Sequence, residues 1–277
     1  MPHAMQGDAA LPLEHLRART YDGVDLPVDV RGNGPGVIFI NGLTQTTAHW
    51  RTQLRLFAEA GWRAAAYDGR GQGEVPAPEA LTREHHARDL AAVQDALGWE
   101  KCHVVGFSHG SRVAIAHALR FPARVDRLVL VAPSGGLNAS RRLVVQGWRE
   151  LADKLGPESL ARQSLPWILS DRYLEAHAAE IPLMVKAAVR RNRREGILAM
   201  LDGLLRDPGT PDELERITAP TLLMTGSEDR FSTPAIVRTL MSRIPRAKLD
   251  VVEGAGHTVA IEMPDIFFLR VDAFLRG

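Results

Sequence analysis

The chain has 277 residues, 45% of them hydrophobic, enough to bury a substantial core as one α/β domain or one domain carrying an insertion. Its 34 basic and 33 acidic residues leave a formal charge of +1, without the basic surplus that binding a phosphate backbone requires, so nucleic acid is not an expected partner. One cysteine, Cys102, excludes an internal disulfide, and no apolar run approaches the length of a membrane span.

In chain order, LRARTY, VDLPVDV and GVIFI, between about residues 16 and 40, read as strands separated by Asp22-Gly23 and the turn GNGPG. Strands and helices then alternate. RAAAYD (63–68), KCHVVGF (101–107), DRLVLVA (126–132), PTLLMTG (220–226) and AKLDVVE (247–253) are short apolar β-compatible runs. Helical patterns fall at about 47–60, 82–98, 109–121, 233–243 and 264–275. Strands apolar on both faces, alternating with helices, predict a mostly parallel sheet covered by helices. The rhythm breaks over about 135–212, where helical periodicity runs without a strand. A crossover needs only a dozen or so residues, so an inserted helical subdomain is expected there, on a core formed by 1–134 and 213–277. Trp148 and Trp167 within it are the expected pocket walls. Cys102, beside two valines, reads as a small buried hydrophobe.

Gly106-Phe107-Ser108-His109-Gly110 has the pattern G-x-S-x-G in the context of strand, tight turn and helix that the pattern demands. By itself this does not separate a nucleophile from a polar loop residue. A serine hydroxyl is a poor nucleophile near neutral pH and needs a base, which in turn needs an orienting acid. His257, in the glycine-rich stretch VVEGAGHTVAIEMP, and Glu228 or Asp229, in LLMTGSEDRFSTP, follow the last two predicted strands. Loops at the carboxyl ends of parallel strands share one edge of the sheet, so these groups can converge on Ser108. The remaining histidines, His3, His15, His49, His85, His86, His103, His117 and His177, lie in helices, strands or segments without a partner signal.

On these stretches the chain resembles the α/β-hydrolase family over nearly its whole length, with an eight-stranded sheet and a helical cap implied. GFSHGS is similar to that family's nucleophile elbow, GSEDRFSTP to its acid loop and GAGHTVAIEMP to its histidine loop. The resemblance implies Ser108 as nucleophile, His257 as general base and then acid, and Asp229 as the carboxylate that orients the imidazole. VAPSGGLNAS, where some members carry the acid, has no carboxylate. The oxyanion would be held by the backbone N–H groups of Leu43 and His109. FINGLTQTTAHW departs from the family's His-Gly by carrying Asn41, a feature it shares with some enol-lactonases. YDGRGQG resembles the family's structural turn, in which Asp68 and Arg70 brace neighbouring loops.

The resemblance implies hydrolysis of a carboxylic ester, lactone or thioester of a small molecule through an acyl-enzyme, without cofactor or metal. Alternatives on the same scaffold are a cofactor-independent dioxygenase or lyase, because Ser-His at the elbow also occurs in such members, and a non-catalytic receptor of a small molecule. RRNRRE (190–195) reads as a solvated helix face, with an acyl carrier protein as its alternative partner. MPHAMQGDAALPLEHLRART lacks a basic segment followed by an apolar core, so a cytoplasmic protein is expected, and a monomer or homodimer is the expected assembly.

Overall fold

The computed structural model describes residues 11–207, 209 and 211–277; His3 and half of the N-terminal stretch read above lie outside the described residues. Eight strands, β1 (Leu13–Arg19), β2 (Asp25–Arg31), β3 (Gly36–Ile40), β4 (Arg63–Tyr67), β5 (Cys102–Phe107), β6 (Val125–Val131), β7 (Thr221–Gly226) and β8 (Ala247–Val252), form one sheet in the order β1-β2-β4-β3-β5-β6-β7-β8. β1 and β2, and β2 and β4, pair antiparallel; every other neighbouring pair is parallel.

The period-2 pattern of side chains explains why the central strands carry apolar residues on both faces over their buried length. Ile38, Ile40, Val104, Leu128 and Leu130 enter one core layer, and Val37, Phe39, Val105, Val129 and Val131 enter the other. Helices α2 (Arg83–Ala96), α3 (His109–Arg120) and α9 (Pro234–Met241) cover the first layer. Helices α1 (Arg51–Glu59) and α11 (Pro264–Arg276) cover the second with Leu54, Phe57, Phe267 and Val271. A short helix, α10 (Val259–Glu262), directly follows the His257 loop and precedes the helix expected at about 264–275. It is a single turn, ended where Pro264 opens α11, too short to show periodicity.

Between β6 and β7 lie α4 (Ala139–Lys154), α5 (Pro157–Ile168), α6 (Asp171–Ala176), α7 (Ile181–Arg191) and α8 (Arg194–Arg206), with no strand among the described residues. Asn138 caps α4 by accepting a hydrogen bond from Arg141 N–H at 2.9 Å, and Ser170 caps α6 from Tyr173 N–H at 3.2 Å. The segment has its own small apolar cluster, built on Val145, Leu160, Ile197, Leu201 and Leu204, which Phe231 joins from the loop after β7.

Candidate active site

The turn between β5 and α3 holds Ser108 at φ +51° and ψ −109°, a conformation that costs a non-glycine residue roughly 1–3 kcal/mol and persists only when its surroundings impose it. Those surroundings are close. A Cβ on Gly106 would stand 2.4 Å from the Gly110 carbonyl oxygen, and one on Gly110 would stand 2.4 Å from the Ile40 carbonyl oxygen. The two glycines therefore let α3 start against both β5 and β3. Ser108 N–H donates to the Val131 carbonyl at 2.8 Å, and the Ser111 hydroxyl is 2.7 Å from the Gly106 carbonyl.

The loops after β7 and β8 meet the serine from the same sheet edge. His257 Nε2 is 2.9 Å from Ser108 Oγ, and His257 Nδ1 is 2.8 Å from Asp229 Oδ2. An ionised carboxylate only accepts, so Nδ1 carries the imidazole proton and Nε2 accepts from the serine hydroxyl. Asp229 Oδ1 takes two further N–H groups, from Phe231 at 2.8 Å and Ser232 at 2.7 Å. Burial alone would raise the Asp229 pKa; the adjacent His257 and these two amides outweigh it and hold the carboxyl below its usual value. Glu228 is exposed, one residue away.

Across the serine, residues 41–46 form a loop braced from beneath. Asn41 Nδ2 is 2.8 Å from the Tyr67 carbonyl and 3.2 Å from Gln72 Oε1, while its Oδ1 accepts the Trp50 indole N–H at 2.9 Å. Gln72 Nε2 donates to the Gly42 carbonyl at 2.7 Å. Gly42 C=O and Leu43 N–H are two ends of one planar peptide, so that bond also fixes where the Leu43 N–H points. Asp68 Oδ1 accepts the Thr47 N–H at 2.7 Å, and burial pushes its pKa up to about 6. Arg70 is buried between Asp22 and Asp89, as a structural turn requires. Among the described residues, neither Leu43 N–H nor His109 N–H is taken by a protein acceptor.

His109 follows Ser108 in sequence, but its imidazole is not arranged as a base. Both ring nitrogens are buried without partners, the ring packs edge-on against His86 at 5.0 Å, and burial together with Arg112 pushes the pKa down to about 3. Cys102 is buried, and burial pushes its thiol up to about 12, as befits an inert side chain.

Ser108 and His257 open into a cavity of about 580 Å³ with mostly apolar walls, among them Leu43, Leu160, Ile168, Met184 and Val185. Trp148 lines it, stacked on Phe231 with ring centroids 5.5 Å apart, and Phe231 in turn meets the His257 ring edge-on at 5.8 Å. Trp167 does not line it. On α5 the lining positions are Pro157, Leu160, Ala161, Ser164, Leu165 and Ile168, one stripe of three- and four-residue steps, and Trp167 falls beside that stripe, half-buried. Two contributors had no foreseeable pattern: Phe231, between the acid and the next helix, and Asn192, the one uncharged residue in RRNRRE. Among the described residues no cluster of three or more His, Cys, Asp or Glu is disposed to hold a metal ion, and no helix is long and apolar enough to cross a membrane.

The sequence model of the alpha/beta hydrolase fold matches residues 35–264. A Bacillus subtilis (strain 168) protein provisionally named 2-succinyl-6-hydroxy-2,4-cyclohexadiene-1-carboxylate synthase is 28% identical over 271 residues, covering 92% of this chain and 96% of that protein. Carboxylesterase YbfK of the same organism is 27% identical, over 88% of this chain and 81% of its own. Among solved structures, the enol-lactonase from Burkholderia xenovorans LB400 superposes with a TM-score of 0.85 at 25% identity, covering 95% of this chain and all of that one. The matched residues include Ser108, Asp229 and His257, and the chain belongs to the alpha/beta hydrolase fold family.

Proposed function

We propose that the protein is a serine hydrolase that cleaves the carboxylic ester, lactone or thioester bond of a small, largely apolar molecule. The observation that carries this reading is the relay Ser108–His257–Asp229, with 2.9 and 2.8 Å links, opening into an apolar cavity of about 580 Å³. Hydrolase relatives, among them a carboxylesterase and an enol-lactonase, support it.

In the first half-reaction His257 Nε2 takes the Ser108 hydroxyl proton as Oγ attacks the substrate carbonyl. Charge develops on the carbonyl oxygen, and the Leu43 and His109 N–H groups, free of acceptors among the described residues, receive it. The tetrahedral species collapses, and the leaving alkoxide or thiolate takes the proton from Nε2. Water then gives a proton to His257 and attacks the acyl-serine; the acid departs and the proton returns to Oγ. Asp229 stays ionised throughout and stabilises the imidazolium.

The test is a panel of p-nitrophenyl esters, lactones and acyl thioesters offered to wild type and Ser108→Ala side by side. Wild type is expected to turn over at least one class, with Ser108→Ala slower by about 10³-fold or more. Equal rates for the two proteins sink the assignment. Tight binding with no turnover on any class favours a receptor, and oxygen uptake favours the dioxygenase reading.

A further inference from the structure

We infer that Asn192 is a positioning residue of this site, one that ties the helices over the cavity to the loop carrying the Leu43 N–H. Asn192 occupies the junction between α7 and α8 and is 8% exposed. Its Nδ2 donates to the Thr44 carbonyl at 2.8 Å and lies 3.3 Å from the Ala188 carbonyl in the last turn of α7, while its Oδ1 accepts the Gly73 N–H at 3.2 Å. Both amide hydrogens and the carbonyl oxygen thus have partners, and the partners belong to three segments: α7, the 41–46 loop and the 69–73 turn.

The placement gives this bond its effect. Leu43 stands between two anchored carbonyls, Gly42 held by Gln72 at 2.7 Å and Thr44 held by Asn192 at 2.8 Å. Gln72 comes from the core, whereas Asn192 comes from the helical segment that walls the cavity. Val185 and Ala188 on α7 line that cavity, so a substrate pressing on α7 is one hydrogen bond from the loop that must receive the oxyanion. The contact surfaces fit the same role: Gly196, in the first turns of α8, has no room for a Cβ, which would stand 2.5 Å from the Gly71 carbonyl, so the helix and the turn meet backbone to backbone beside Asn192.

The inference rests on the hydrolase reading above, and its test separates the two. Purified full-length wild type, Asn192→Ala, Asn192→Asp and Ser108→Ala are compared for kcat and KM on p-nitrophenyl acetate, melting temperature, and affinity for butylboronic acid, which forms a tetrahedral adduct with a reactive serine. Asn192→Asp keeps the size and the acceptor for Gly73 N–H but has no donor for the Thr44 carbonyl. Both Asn192 variants are expected to lose about 30-fold in kcat with KM nearly unchanged, and to lose boronate affinity in the same proportion, because an interaction felt only in the tetrahedral state is weakened. If Asn192→Asp keeps wild-type kcat and boronate affinity, or if the variants lose only melting temperature and KM, the positioning role is wrong while the hydrolase reading stands. Wild-type activity in Ser108→Ala overturns the reading itself.

Discussion

Helices α3 and α7 have similar lengths and opposite situations. Helix α3 buries Gly110, Ser111, Val113, Ala114, Ile115 and Ala118 against the sheet; α7 fully buries only Val185. The helix that begins at Ser108 is therefore held by core packing, and the thinly packed helical segment over the cavity by a few polar ties. Those ties are specific ones. Glu262 Oε2 accepts N–H groups from Ser170 at 3.1 Å and Gly256 at 3.0 Å, joining the start of α6 to the His257 loop, and Asn192 joins α7 to the 41–46 loop. The contrast is one of unequal packing: Ser108, Asp229 and His257 stand on a densely packed sheet edge, and the cavity walls on a segment with few buried apolar contacts.

The sharpest test of the densely packed side is Asp229→Asn. The amide oxygen can still accept from Phe231 and Ser232 N–H, so the loop should hold, but an NH₂ facing His257 Nδ1 reverses the tautomer needed for Nε2 to accept from Ser108. The expected result is a fall in kcat of about 10⁴-fold with little change in melting temperature. A loss below about 10-fold would mean that Asp229 does not orient the base. Next in size is Asp89→Ala. Asp89 is fully buried and holds Arg70, itself 2% exposed, through contacts of 2.8 and 3.0 Å. Removing it leaves the buried guanidinium with Asp22, nearer the surface, as its one remaining carboxylate and should cost about 3 kcal/mol in denaturant unfolding.

The same contrast decides what the sequence disclosed. Strands packed on both faces must be apolar throughout, so LVLV in β6 and TLLM in β7 announce themselves, as does the order of serine, acid and histidine loops at one sheet edge. Asn41, which stands where the family carries histidine, bonds the Tyr67 carbonyl and the Trp50 indole and so braces its loop. The cavity wall was less legible because a thinly packed helix shows its neighbours only through its rotation. Trp167 differs from Ile168 by one residue, and so by about 100° around α5, and only the packing against α4 and α7 decides which faces the cavity. Asn192 lies among arginines that pair outward, Arg193 with Glu74 and Arg194 with Asp153, so its run reads as surface charge although its amide points inward.

A third test uses pH. Burial raises the Asp68 pKa to about 6, above the ordinary aspartate value near 3.9 of an unfolded chain. Between those values the folded protein holds a proton that the unfolded chain has released, so this site's contribution favours folding at the acid end and is lost as pH rises to 6 and beyond. Asp68→Asn removes the titration and keeps an oxygen for Thr47 N–H. Unfolding free energies measured at pH 4 and pH 7.5 should therefore show wild type losing about 2 kcal/mol more than the variant over that interval. An identical pH slope in the two proteins would place the Asp68 carboxyl at its ordinary value.

The smallest effect belongs to the helical segment. Asp202 on α8 pairs with Arg149 on α4 at 3.0 Å, yet both side chains are about a third exposed and Arg149 has a second partner, Asp153, at 2.9 Å. In water the gain from such a pair nearly cancels the entropy of ordering two long side chains, and losing one partner of two leaves the guanidinium solvated and still neutralised. Asp202→Ala should shift unfolding by no more than about 0.5 kcal/mol, less than a fifth of the Asp89→Ala loss, and added salt should erase the shift. A shift comparable to that of Asp89→Ala would show that the α4–α8 pair is as dehydrated as Arg70–Asp89, and the helices over the cavity would then be as densely packed as the sheet edge beneath them.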